Sequence, residues 1–263
     1  MTERYTHGHA EAVLRSHRWR TAENSAGYLL RALQPGTTVL DVGCGPGTIT
    51  ADIARRVAPG TVIGLDRADE VITMAARDHA ADNLTFRTGD VYDLDHPDDA
   101  YDVVHAHQVL QHLADPVRAL GEMRRVCRPG GVVAVRDADY AAMTWWPDDP
   151  DLTRWLDIYR RVARANGGEP DAGRRLLAWA HAAGFEHVKS SASTWCFDTP
   201  QDREWWAQTW AQRVTQSALA DRAVETAIAT RAELDRCGDA WHRWASHPDA
   251  CFIVLHGEIL ATA

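Results

Sequence analysis

Val39-Leu40-Asp41-Val42-Gly43-Cys44-Gly45-Pro46-Gly47-Thr48 runs an apolar strand straight into a glycine-rich turn and the start of a helix. Glycines at alternate positions let the backbone turn sharply and approach a ligand with no Cβ in the way. The first amides of the following helix point into the same space. The combination reads as a cradle for a nucleotide-like ligand. The spacing is G-x-G-x-G, whereas the dinucleotide fingerprint is G-x-G-x-x-G, and Thr48 stands where its last glycine belongs. A pyrophosphate reading therefore starts at a disadvantage, and a plain strand-to-helix turn stays open.

On either side of this turn the pattern repeats. Helical periodicity over 49–57 stops at Pro59-Gly60, and 61–65 reads as a second buried strand closing on Asp66. There follow a helix over 69–81, a strand over 84–87 ending near Gly89-Asp90, and a strand over 101–107. A helix over 116–127 with Pro116 in its first turn, a turn at Pro129-Gly130-Gly131 and a strand over 132–136 complete the series. Five strands alternating with helices predict an α/β fold with a Rossmann-like, doubly wound, mostly parallel sheet.

Beyond Asp137 the rhythm breaks. The chain reads as an N-terminal helical arm or cap (1–34), a nucleotide-binding core (35–138), a Trp-rich cap insertion (139–171) with a helix over 152–165, and the core resumed (172–198). A helical cap insertion (199–248) and a last core strand (249–263) follow, giving seven strands with the last antiparallel. The ligand crevice of an open α/β sheet lies beyond the carboxyl ends of its strands, so the two insertions and the arm are expected to roof one cavity facing the glycine turn.

Bulk composition narrows the function classes. The formal charge of −9 over 263 residues argues against a nucleic-acid partner, whose phosphates need clustered Lys and Arg. Five scattered cysteines with no C-x-x-C pair fit neither a disulfide framework nor a zinc site and suit a reducing cytoplasm, and no metal site is expected. The first 28 residues are too polar for a signal peptide, and no run of about 18 apolar residues marks a membrane span.

The motifs together resemble the class I S-adenosylmethionine-dependent methyltransferases of the small-molecule group that includes the ubiquinone and menaquinone methylases. The resemblance covers Pro35 to Asp137 and rests on the glycine turn, on Asp66, on Gly89-Asp90-Val91, on Tyr101-Asp102-Val103-Val104 through His112-Leu113, and on Arg128-Pro129-Gly130-Gly131. It implies S-adenosylmethionine as cofactor, S-adenosylhomocysteine as product, and a cofactor site made of Asp41, Gly43, Cys44, Gly45, Asp66, Arg67, Asp90, Val91, His107, Gln108 and Arg20. Asp66 would accept the ribose hydroxyl hydrogens, or else cap the helix beginning near Asp69, although Asp69 is the better placed cap. Asp90 would accept from the adenine amine while Val91 offers its amide, or else be one more solvated loop carboxylate. Asp41, buried inside its strand, needs a partner, either the methionine amino end or loop amides. Arg67 reads as stacking beside adenine or as a surface residue. Arg20 is the candidate cation for the cofactor carboxylate, against an ordinary helix-surface role.

Methyl transfer from a sulfonium is an in-line displacement, so alignment matters more than acid or base groups. His112 is the candidate base by type, although the His-Leu pair at 112 and 113 also suits a structural role. His7, His9 and His17 in the arm are further candidate bases, and His7-Gly8-His9 makes only a weak metal site. Trp19, Trp145, Trp146, Trp206 and Trp210 mark a planar or apolar acceptor pocket, against a background in which most tryptophans simply fill a core. The expected partner is a small-molecule acceptor, with no nucleic acid and no membrane, bound by a monomer or homodimer. Three alternatives stay open: a nicotinamide-dependent oxidoreductase, disfavoured by the glycine spacing; a nucleic-acid methylase, which lacks its Asn-Pro-Pro-Tyr-type segment after the fourth strand; and a non-catalytic subunit that keeps the fold.

Overall fold

The computed structural model describes residues 19–263, so the expectations placed on His7, His9 and His17 lie outside the described residues. The first described element is a short helix α1 (Ala22–Ala26), whose start is fixed by a capping box. The Thr21 hydroxyl accepts the Asn24 amide and the Asn24 side chain accepts the Thr21 amide. Then come β1 (Val39–Val42), α2 (Thr48–Val57), β2 (Val62–Asp66), α3 (Asp69–Asp78), β3 (Leu84–Thr88), β4 (Tyr101–His107), α4 (Pro116–Val126) and β5 (Cys127–Ala138). The second half contributes β6 (Thr144–Trp146), α5 (Pro150–Ala165), α6 (Leu176–Ala182), β7 (Val188–Phe197), α7 (Pro200–Gln216), α8 (Ala218–Glu225), α9 (Arg231–Ser246) and β8 (Cys251–Thr262).

Strands β3, β2, β1, β4 and β5 lie side by side and parallel in that order. The last strand, β8, runs antiparallel beside β5 through Val132↔Thr262 to Ala138↔His256, pairs β6 beyond that, and carries β7 on its other edge from Val188↔Ala261 to Phe197↔Phe252. The mostly parallel, Rossmann-like sheet is thus as expected, with an eighth strand added. That addition is β6, three residues of the first insertion, too short to show a period-2 pattern.

Strand periodicity sorts the core into two layers. Val39, Val103 and Ala134 pack with Ile49, Ile53 and Val57 of α2 on one face. Leu40, Val104, Val133 and Val135 pack with Leu120, Met123 and Val126 of α4 on the other. A third cluster fills the cap, where Trp155, Trp210, Trp241 and Trp244 are fully buried. Phe252, at the start of β8, sits among them with ring centroids 6.1 Å from Trp155, 5.1 Å from Trp241 and 5.9 Å from Trp244. Each such ring buries apolar area worth about 1.5–3 kcal/mol or more, which lets the cap hold its own core.

Several boundaries depart from expectation for local reasons. The turn at Pro129-Gly130-Gly131 is an irregularity inside β5, where the register with β4 shifts between Tyr101 and Val103 and Gly130 takes φ 75°. The helix expected over 69–81 ends at Asp78, and Ala68 rather than Asp69 holds its cap position; Asp69 instead accepts the Thr88 hydroxyl across to β3. Where the core resumes, a single 3-10 turn, Gly173–Arg175, leads into the short helix α6. Within the second insertion the helical stretch divides into α7, α8 and α9, with Ser217 capping α8 and a Thr230–Glu233 capping box opening α9. Among the described residues no helix is long and apolar enough to cross a membrane.

Candidate functional site

A cavity of about 500 Å³ opens at the carboxyl ends of β1, β2 and β4, within the size range of small-molecule sites. Its lower wall is the glycine turn, with Gly43, Gly45 and Gly47 at φ 67°, 55° and 82°. The glycines serve packing as well as approach. A Cβ on Gly43 would lie 2.4 Å from Val109, and one on Gly47 would lie 2.6 Å from the Phe86 ring. Asp66 anchors the turn, its Oδ2 accepting the Gly45 amide at 3.0 Å and its Oδ1 accepting the Ala68 amide at 3.1 Å. Asp66 therefore does occupy the neighbourhood of the helix cap, yet it is only partly buried and lines the cavity.

Asp41 is 2 % exposed, and its two oxygens accept from Thr50 Oγ1 at 2.6 Å and from His105 Nδ1 at 2.7 Å. The partners are thus side chains of α2 and β4 rather than loop amides, and Asp41 ties β1 to both while still edging the cavity. Asp90 is exposed at the cavity mouth, bonded to the Tyr92 amide at 2.9 Å, so it is both a loop carboxylate and a lining residue. Val91 is buried beside it, and Arg67 is exposed at the rim.

Past the end of β4 the floor becomes polar. Gln108 takes φ 54°, an uncommon conformation for a non-glycine residue. Its Oε1 accepts Arg20 Nη2 at 2.7 Å, and its amide nitrogen donates to His256 Nε2 at 2.8 Å. Trp195 of β7 receives two cations, Arg20 at 5.6 Å and Arg136 at 5.0 Å from its ring centroid, and its indole nitrogen donates to the Asn24 carbonyl. Arg136 is fully buried and its Nε lies 3.2 Å from Glu258 Oε1, with Ser191 and Ser193 also donating to that carboxylate. Burial lowers the Arg136 guanidinium to about 10 despite Glu258. Burial, together with Arg20 and Arg136, drives His107 and His256 well below the ordinary histidine range, so both rings stay neutral.

His112 follows β4 in a 3-10 turn and lines the cavity. Its Nε2 is 3.1 Å from the Gln111 amide nitrogen, which donates to it. Burial and the charges of Arg20 and Arg213 bring its pKa down to about 3.

The cavity thus gathers every residue named for the cofactor, from Arg20 to Gln108, together with His112, Trp19, Trp206 and Trp210. It excludes two. Trp145 stacks on Phe252 at 5.6 Å with an interplanar angle of 5°, inside the cap core, and Trp146 is 57 % exposed on β6. Strand alternation sends these neighbours to opposite sides of β6, and neither side faces the cavity. Trp195 and Trp205, which belong to the same concentration of tryptophans outside the nucleotide-binding half, line it too, and sequence reading missed Tyr140, Met143, Arg213 and Val254. Trp195 was legible as the one aromatic near the end of β7 on the same side as Phe197; Arg213 carried no local signal. Among the described residues no group of three or more His, Cys, Asp or Glu could hold a metal ion.

Comparison with known proteins places this geometry. Residues 33–215 match the family described as a methyltransferase domain. An uncharacterized methyltransferase of Schizosaccharomyces pombe is 35% identical over 97% of this chain and 95% of its own length. A probable methyltransferase of Aspergillus luteorubrus is 30% identical over 99% of this chain and 97% of its own. Among solved structures, the YcgJ protein from Bacillus superposes with a TM-score of 0.56 at 18% identity, covering 90% of this chain and 97% of that one, a likeness of fold.

Proposed function

The chain belongs to the class I S-adenosylmethionine-dependent methyltransferases, and on that premise we propose that its cavity seats S-adenosylmethionine on the glycine turn and a small apolar or aromatic metabolite under the tryptophans. The observation that carries the reading is the continuity of one cavity from Gly43, Asp66 and Asp90 to Trp206 and Trp210. Its donor set fits the cofactor. Asp66 and Asp90 supply carboxylates at the two places where a nucleoside presents hydroxyl and amino hydrogens, and Val91 supplies an apolar neighbour and an amide for the base. Arg20, held by Gln108, supplies a cation for a carboxylate, with His107 closing the floor between them.

When bound, the cofactor would supply an electrophilic methyl on a sulfonium. The protein's part is positional. Gly43 and Gly45 shape the seat, Asp41 braces it through Thr50 and His105, and Trp19, Trp205, Trp206 and Trp210 exclude water and hold the acceptor in line. His112, with a pKa of about 3 and its Nε2 already accepting from Gln111, is a weak base, and the reading gives it a positioning role. Catalysis is thereby by proximity, on an oxygen, nitrogen or carbon of the acceptor. The domain division, with arm and two insertions as cap, and a monomer or homodimer belong to the same reading.

Two measurements test it. Calorimetry should find S-adenosylhomocysteine bound and NADH not bound, and incubation with methyl-labelled cofactor and a panel of aromatic metabolites should yield a labelled product. Binding of NADH in place of the homocysteine would return the oxidoreductase reading.

A further inference from the structure

We infer that the methyl acceptor is a planar molecule carrying an anionic oxygen, a phenolate, enolate or carboxylate, and that Arg213 is the side chain that meets its charge; this rests on the reading of the cavity just given. The cavity's charges are sorted by position. Among the described residues the carboxylates that line it, Asp41, Asp66 and Asp90, all stand at the ends of β1, β2 and β3, on the side of the glycine turn. The cap side is aromatic and carries a guanidinium. Arg213 lies on α7 one turn beyond Trp210, is 4 % exposed, and places its Cζ 5.1 Å from the Trp210 ring.

Arg213 itself lines the cavity, beside Trp206, Trp210 and Tyr140. Its charge reaches the cavity. Arg213 and Arg20 act together on His112, which they help keep neutral, and together they oppose the effect of burial on the Tyr140 hydroxyl. His112 and Tyr140 both line the cavity, so this section of it feels both guanidiniums. Arg20, bonded to Gln108, is matched to the cofactor carboxylate, and Arg213 is then the cation on the acceptor side.

Aromatic walls alone would also suit an ammonium acceptor, but a second guanidinium repels one. An anion removes the need for a base. An oxygen lone pair forms the bond to the methyl carbon as the carbon–sulfur bond breaks and its electron pair stays on sulfur. The positive and negative charges cancel and no proton moves. This agrees with a site whose lining histidines among the described residues, His107 and His112, are held neutral.

The test uses the full chain saturated with S-adenosylhomocysteine and two probes of equal shape, 2-naphthoate and 2-naphthylmethylammonium, titrated by calorimetry and by quenching of tryptophan fluorescence. The carboxylate should bind at least about tenfold more tightly, with an advantage that shrinks as salt rises. Arg213→Lys should keep the preference and Arg213→Gln should abolish it; if the Gln variant does not fold, the wild-type and Lys results decide. Equal affinities, a preference for the ammonium, or binding of neither probe to the loaded protein overturns the inference. Absence of S-adenosylhomocysteine binding would instead overturn the cofactor reading beneath it.

Discussion

Replacing Asp66 separates two jobs that one carboxylate performs. In the structure it accepts the Gly45 amide at 3.0 Å and the Ala68 amide at 3.1 Å, so it holds the glycine turn before any ligand arrives. Asp66→Ala strands both donors. Because Gly45, Asp66 and Ala68 are all only partly buried, water can take the place of the lost carboxylate, and the expected loss of folding stability is about 1 kcal/mol, the low end for an unmade hydrogen bond. Ribose hydroxyls shut inside the loaded cavity have no such rescue, so affinity for S-adenosylhomocysteine should fall by a further 1–3 kcal/mol, about 5- to 150-fold. Asp66→Asn keeps one oxygen for Gly45 and should melt within a few degrees of the parent while still losing affinity. Isothermal calorimetry with S-adenosylhomocysteine, alongside thermal melts of both variants, reads the two effects apart. An Ala variant that binds within twofold of the parent would falsify the ribose assignment.

His112→Gln should leave the pH profile of turnover unchanged between about pH 6 and 9, since a ring with a pKa of about 3 exchanges no proton in that window; a lost limb in the profile would restore it as general base. Stability should fall on mild acidification. His107 and His256 have folded pKa values far below the usual 6.5, so their contribution is complete above that value and is lost as pH drops beneath it. Asp137, raised to about 7 by burial, works the other way, being already protonated in the fold over the same range. His112, held at about 3 in the fold, adds a third ring that is charged only on unfolding, so the balance is about two protons taken up on unfolding near pH 5, or about 2.7 kcal/mol per pH unit there, tapering toward pH 6.5. Urea midpoints across that interval measure it, and a flat profile contradicts the neutral buried rings. Gly257→Ala should cost more than about 3 kcal/mol or prevent folding, because its Cβ would lie 2.1 Å from the Gly173 carbonyl oxygen, backbone that cannot step aside. Soluble expression and urea unfolding decide that one.

The nucleotide half was legible because its information is local. Alternation of apolar residues, Pro-Gly stops and the glycine turn each act within a dozen residues, and together they place β1 to β5 and the residues at their ends. What was hidden depends on distant pairing. Trp145 and Trp206 look alike in sequence, yet one stacks on Phe252, more than a hundred positions away, and the other faces the cavity. Asp41 could be read as buried and needing a partner, but not that His105, 64 residues on, would be that partner. Gly173 and Gly257 are unremarkable singly; only the passage of the turn before α6 across β8 makes both obligatory.

Strand β8 has a further consequence, for the order of events in synthesis. It is the eighth strand made, and it lies between β5 on one edge and β7 on the other, with β6 paired to its opening residues. The five parallel strands can assemble as they emerge, each beside a neighbour already present. β6 and β7 have no sheet partner until β8 exists, and Phe252, around which the cap tryptophans gather, arrives with it. The growing chain can therefore own a cofactor seat well before it owns a place for an acceptor, and the exposed cap aromatics of that interval are where a chaperone would be needed.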